Sequence, residues 1–129
     1  MADIVKEPEW PRHIALVPNC PLKDAVPVKG RIFRRLDGTP DEWLSYKEQN
    51  KKFSPAKLCQ ATSLSCYTDL IALREMLAVH ESWSQVVAAD LSEEHGVIKQ
   101  TGNNPDHHSL WLRNKYHSTC KQMFVAVPE

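Results

Sequence analysis

The sequence predicts an α+β domain, with a mixed or mainly antiparallel sheet of about five to six strands and two helices packed on it. Three observations lead there. Short alternating or apolar runs separated by turn residues crowd the second half of the chain, only two stretches carry helix signatures, and proline is concentrated at the start. Strands gathered at one end with short turns favour antiparallel pairing over a doubly wound sheet.

The elements follow in order. Pro8, Pro11, Pro18, Pro21 and Pro27 fall within residues 1–28. Each fixes φ and deletes a backbone donor, so this stretch is expected to be an extended arm, anchored by Trp10 and Leu16, with "HIALV" (13–17) adding a short edge strand. The globular body is expected over 29–129. In "VKGRIFRRL" (28–36) alternation sends Val28, Ile32 and Arg34 to one side and Arg31, Phe33 and Arg35 to the other, a strand that "DGTP" ends. "TPDEWLSYKEQNKKF" (39–53) carries helix-start residues, with Thr39 as N-cap, Pro40 in the first turn and Glu42 completing a capping box. Its apolar stripe of Trp43, Leu44 and Lys47 is thin. "CQATSLSCY" (59–67) reads as a strand of small residues. "TDLIALREMLAVH" (68–80) is the clearest helix, capped by Thr68 or Asp69, with Leu70, Leu73 and Leu77, joined by Ile71 and Met76, as its apolar face. Four more strands are expected at 84–91, 96–101, 108–112 and 122–127.

Length and composition bound the function. The chain has 129 residues, 42% hydrophobic and 25% charged, values of a folded domain able to bury a core unaided. Lys plus Arg and Asp plus Glu both number 16, so the basic excess of a typical nucleic-acid binder is missing. No run of ~18 apolar residues suggests a membrane helix, and "MADIVKEPEW" lacks the apolar core of a secretory leader, so a cytoplasmic location is expected. There thiols stay reduced. Cys20, Cys59, Cys66 and Cys120 show neither zinc-knuckle nor C-x-x-C spacing, and are expected to be free thiols packed as small apolar groups. The alternatives are one disulfide, or a redox-active Cys59 or Cys66.

Three places carry candidate chemistry. In "NNPDHHSLWL" (103–112), a strand beginning at His107 puts His107, Ser109 and Trp111 on one face and His108, Leu110 and Leu112 on the other. Adjacent histidines on opposite faces do not share an ion, so no metal site is expected. One would need His95, His117, Asp106 or a cysteine brought close in space. His108 is then a hydrogen-bonded residue at the rim of the core or a ligand contact, while His107 is the candidate base, since imidazole titrates near neutrality. The letters "HHSLWLRNKYH" span too short an interval for an HNH nuclease. In "RIFRRL", Arg34 alone shares the face of Ile32 and is a candidate for holding phosphate or carboxylate. The competing reading solvates Arg31 and Arg35 and pairs Arg34 with an acid such as Asp37 or Asp41. In "ATSLS", Ser63 and Ser65 share a face and can contact a ligand, or serve only tight packing before the helix. No nucleophile elbow surrounds them, and no phosphate-loop, dinucleotide, zinc-protease or calcium-loop pattern occurs.

Together "GRIFRRL", "FSPAKLCQATSLSCY" and "PDHHSLWL", over about residues 29–127, resemble a class of small, uncharacterised bacterial proteins. The first two segments also resemble the ADP-ribosyltransferase-like folds, including the RES toxin group. That resemblance implies that Arg31 or Arg34 holds a phosphate of NAD and that Ser63 and Ser65 line the nicotinamide pocket. It also implies a glutamate near the C-terminal strands, often as E-x-E. This chain has none there, and His107 is the residue that would stand in.

Two functions follow as expectations. The first is a non-enzymatic interaction protein of bacterial or phage origin in a conflict or toxin-type system. It would use no cofactor and would meet a protein partner through the arm or an exposed patch around Trp10, Trp43 or Trp83. Neither a nucleic acid nor a membrane is expected as partner. The second is a nucleotide-handling enzyme using NAD, with Arg34, Ser63, Ser65 and His107 around one cleft.

Overall fold

In the computed structural model, which describes residues 9–36, 38–39, 41–78 and 85–128, the alternating run "GRIFRRL" forms a strand at the middle of the sheet. The chain runs α1 (Arg12–Ala15), β1 (Val26–Pro27), β2 (Gly30–Leu36), β3 (Leu64–Tyr67), α2 (Leu70–Leu77), β4 (Gln85–Leu91), β5 (Gly96–Gln100), β6 (His107–Leu112), α3 (Asn114–His117), α4 (Cys120–Met123) and β7 (Val125–Ala126). Two 3₁₀ turns, Pro55–Lys57 and Gln60–Thr62, precede β3. The strands make one seven-stranded sheet in the order β1-β5-β6-β3-β2-β4-β7, antiparallel at every pairing. The sheet has seven strands and not the expected five to six, because Val26–Pro27 of the expected arm adds a short strand at one edge; at the other edge stands the two-residue Val125–Ala126. Such short edges offer little backbone for pairing with another chain.

Both faces of the sheet are covered. Ile32, Leu36, Leu64, Cys66, Val87, Leu91, Leu110 and Leu112 form the larger core, closed over by Cys120, Phe124 and the half-buried Trp43 and Met123. On the other face Phe33, Tyr67 and Ala88 meet Leu73, Leu70, Met76 and Leu77 of α2, while Ile71, expected on that apolar face, points to solvent. That helix starts where the sequence places it: the Asp69 carboxylate accepts from the Ile71 and Ala72 backbone N–H groups, which have no partner inside the first turn. The far end of the predicted helix, and Trp83, lie outside the described residues.

Four expected elements differ. Of the strand expected over 59–67 only Leu64–Tyr67 forms, because Gln60–Thr62 coils into a 3₁₀ turn. Residues 41–53 form successive turns, not a helix. The stripe there is too thin to bury: Leu44 and Tyr46 face solvent while Trp43 leaves to stack on Phe124, 5.3 Å between centroids. The capping box forms instead at "SYKE", where Ser45 N donates to Glu48 Oε1 (3.0 Å) and Glu48 N donates to Ser45 Oγ (3.2 Å). Asn50, at φ 59°, breaks off the turn that follows. "HIALV" contains the helical turn α1 and not an edge strand, and it buries Ile14 and Val17. Of the expected strand at 122–127 only Val125–Ala126 pairs, because α4 occupies the residues before it.

The cysteines are also corrected. Cys20 and Cys59 form a disulfide across 39 residues, and only Cys66 and Cys120 are free, both buried. Closing a loop of that length restricts the unfolded chain, an effect of about 4 kcal/mol in the chain-entropy picture. Burial pushes the Cys66 thiol up to about 12 and raises that of Cys120, so neither behaves as a ready thiolate. Among the described residues no helix is long and apolar enough to cross a membrane.

Candidate functional site: a cleft where the sheet parts

β2 and β3 pair through one residue couple, Phe33 with Tyr67. Beyond it the ladder stops, and the Arg34 side chain fills the gap by donating from Nε to the Ser65 carbonyl at 2.8 Å. A cavity of about 150 Å³ lies here, lined by Arg34 and Arg35 from β2, Ser63, Leu64 and Ser65 around β3, and Tyr46 and Lys51 from the irregular segment. A second cavity of about 350 Å³ shares Tyr46, Ser63 and Ser65 with the first, and continues past His107 and Ser109 to Lys52 and Lys57. The two cavities adjoin at these shared residues as the two parts of a cleft, and the second alone reaches the range of small-molecule sites. The sheet supplies its floor and the segment 41–63 its wall.

Four residues singled out in the sequence, Arg34, Ser63, Ser65 and His107, line this cleft. The pleat of β6 divides the histidine pair as expected. His107 faces the cavity, while His108 turns away and its Nδ1 donates to the Asp106 carbonyl at 3.0 Å. Arg31 lies outside both cavities, half exposed over the Phe33 ring and paired with Asp90 at 3.6 Å. Trp10 and Trp43 are half-buried beneath the guanidinium groups of Arg113 (5.0 Å) and Arg34 (4.8 Å).

The hydrogen bonds define a working geometry. His107 Nδ1 lies 3.1 Å from the Thr101 carbonyl, which can only accept, so Nδ1 carries the proton. Nε2 is then a bare acceptor, and Ser65 Oγ sits 3.1 Å away, placed to donate to it. The Thr101 hydroxyl also meets His107 Nδ1 (3.2 Å) and Ser109 Oγ (2.8 Å), while the Tyr67 ring stands edge-on to the imidazole at 5.6 Å. Burial lowers the His107 pKa; the Thr101 carbonyl opposes this, and His108 and Arg35 reinforce it. The imidazole is therefore neutral at pH 7, the form a general base needs. Ser63 Oγ donates to the Gln60 carbonyl at 2.6 Å, so its proton is committed there.

Arg34 is the most constrained group in the site. Only 6% of it is exposed, burial lowers its pKa, and Nη1 is buried without a hydrogen-bond partner among the described residues. No ion pair joins it to a carboxylate there, so the pairing expected with Asp41 is absent, and Asp37 lies outside the described residues. A buried guanidinium donor with no acceptor is costly unless a ligand supplies one. Thr101, Ser109, Tyr46, Lys52 and Lys57 were not foreseen. Ser109 had a signal, two residues from His107 on the same face, whereas Thr101 and the wall residues arrive only through tertiary folding.

Compared with protein-family models, curated proteins and solved structures, the chain matches none. Fold and site define it by class alone: an antiparallel α+β protein with a parted sheet and a polar, cation-lined cleft holding a Ser–His pair.

Proposed function

We propose that this cleft handles a nucleotide of the NAD type, as an ADP-ribosyltransferase-like enzyme. One observation carries the reading: Arg34, Ser65 and His107 stand on three neighbouring strands and are linked through Ser65, whose carbonyl holds the guanidinium and whose hydroxyl meets the imidazole. Arg34 Nη1 offers a donor to a phosphate oxygen, and the lysines along the wall suit a second phosphate. Ser63 and Ser65 line the space for the nicotinamide end. When nicotinamide leaves ribose, the incoming hydroxyl must lose a proton. Ser65 can pass it to His107 Nε2, and the Thr101 carbonyl holds the imidazolium that forms.

The test is to incubate the full chain with NAD, measure binding by calorimetry and follow nicotinamide release by chromatography. Saturable binding with slow release is expected. His107→Gln should keep binding and slow release by about 10²-fold or more. Ser65→Ala should impair both. No heat of binding and no nicotinamide at millimolar NAD would sink the proposal. The chain would then be read as a binding protein of a conflict or toxin-type system, though Val26 and Val125, two of its exposed apolar residues, stand on opposite edges of the sheet and make no single docking face.

A further inference from the structure

Away from the cleft, three side chains converge from segments outside the sheet: His13 from α1, Glu48 from the turn capped by Ser45, and His117 from the end of α3. His117 Nε2 lies 3.2 Å from Glu48 Oε2, and His13 Nε2 lies 3.4 Å from Glu48 Oε1. One nitrogen or oxygen from each residue falls within 4.8 Å of the other two. The imidazole rings stand 4.7 Å apart, centroid to centroid.

A plain hydrogen-bond network accounts for only part of this arrangement. His117 Nε2 is well placed to donate to Glu48. His13 is not: its Nε2 is buried and makes no hydrogen bond among the described residues, although a carboxylate oxygen is 3.4 Å away. That oxygen already accepts the Ser45 backbone N–H. The cluster presents one carboxylate and two imidazole nitrogens to a common point.

We propose that His13, Glu48 and His117 bind one divalent transition-metal ion, with zinc the best fit, as a structural tie between the two ends of the described chain and the wall of the cleft. Two imidazoles and a carboxylate are a common zinc donor set. Ligands ~2.1 Å from a tetrahedral ion lie roughly 3.4 Å from one another; here each imidazole stands 3.2 or 3.4 Å from a different oxygen of Glu48, and one atom from each residue falls within 4.8 Å of the others. The side chains keep 15–19% of their surface exposed, enough to admit an ion and to leave a fourth position for water. Neither cavity of the cleft is lined by these residues, so the assignment is independent of the nucleotide reading. Of the three residues only His117 stands among those a metal site would draw on in the sequence; Glu48, 69 residues away, and His13 reach it only through folding.

The test uses the full chain, free of any histidine tag, stripped with chelator and titrated with zinc. Metal content after dialysis and the melting temperature are the readouts. One equivalent of zinc is expected to remain, with a melting temperature higher by roughly 10 °C at a hundredfold excess over Kd. Cobalt in place of zinc should give the visible bands of a tetrahedral site. Glu48→Gln keeps the shape of the side chain and its contact with Ser45, so it should fold, yet lose at least tenfold in zinc affinity. His117→Ala and His13→Ala should each abolish the cobalt bands. Far-UV circular dichroism confirms folding of each metal-free variant. Binding below a tenth of an equivalent, or undiminished binding in folded Glu48→Gln and His117→Ala, would overturn the assignment.

Discussion

The floor and the wall of the cleft are built on different principles. The floor is ladder: β2 and β4 pair without interruption from Gly30 opposite Leu91 to Leu36 opposite Gln85, and β6 is paired on both sides, to β3 and β5. The wall, residues 41–63, has no strand, and side-chain links hold it. These are the Cys20–Cys59 disulfide, the Ser45–Glu48 cap, Trp43 packed between Arg34 and Phe124, and the Trp111 indole, which donates to the Cys59 carbonyl (3.3 Å) and Thr62 Oγ1 (3.1 Å). A ladder spreads its stability over many equivalent bonds, whereas a wall of this kind depends on a few contacts. A cleft with one side of each sort keeps its Ser–His geometry on the rigid part and can alter its shape through the other.

Trp111 is where the two meet, so its removal should have the largest effect. Its side chain is fully buried in β6 and its indole N–H is spent on the wall. Trp111→Ala should cost about 3–5 kcal/mol, read from urea unfolding. Trp111→Phe keeps most of the volume and loses only the donor, so it should cost roughly 1–3 kcal/mol, as the Cys59 carbonyl and the Thr62 hydroxyl lose a partner. If Trp111→Phe were as damaging as Trp111→Ala, floor and wall would not be separable in this way.

The disulfide comes next. Reduction, or Cys59→Ser with Cys20→Ser, should lower stability by about 2–4 kcal/mol. The loss should fall unevenly: amide hydrogen exchange should quicken across 41–63, while β2 and β4 stay protected relative to global unfolding. Mass spectrometry of the alkylated protein checks the bond itself, with two thiols and not four expected to react after denaturation without reductant.

These contrasts also explain what could be read in advance. The floor follows from a period of two: in "HHSLWL" alternation alone puts His107 beside Ser109 and apart from His108, and the structure keeps that assignment. α2 was equally readable, because an apolar stripe and an Asp cap are local signals. The wall is not periodic. Its helix signature at 39–53 was a capping pattern without a face to bury, and such a pattern cannot nucleate a helix against the cost of the first turn. Arg34 shows the same limit from another side. Alternation placed it correctly among apolar neighbours, but its partner is the Ser65 carbonyl, freed only because the β2–β3 ladder ends after one pair. No spacing in the chain encodes where a ladder stops.

A smaller effect tests the floor through α2. Asp69→Ala removes the two hydrogen bonds that start α2 and should cost about 1 kcal/mol. Because α2 packs on Phe33, Tyr67 and Ala88, on the floor side, the change should loosen β2 and β4 and leave the wall's exchange rates unaltered in rank. Asp69→Asn, which retains the acceptor, should recover most of the loss. A wall that loosened first would show that the two sides share one cooperative unit.

The smallest expected effect is the pH dependence contributed by His107. Its folded pKa lies below the ordinary 6.5, chiefly through burial. As pH falls through 6.5 the unfolded chain takes up a proton that the folded imidazole still refuses. The unfolded state then binds more protons, so stability declines with falling pH until the folded pKa is passed, and above 6.5 the contribution is complete and flat. His107→Gln replaces the ring with a group that does not titrate, so the slope of melting temperature against pH between 7 and 5 should be shallower than in the parent chain. Nicotinamide release, where it occurs, should fall over that same acid range as Nε2 gains the proton that disables it as acceptor from Ser65. The two curves report one event from opposite sides, since the neutral ring that keeps the floor intact is also the one able to receive a proton from Ser65. Parallel melting curves for parent and His107→Gln would place the titration elsewhere and remove the basis for treating His107 as the neutral base.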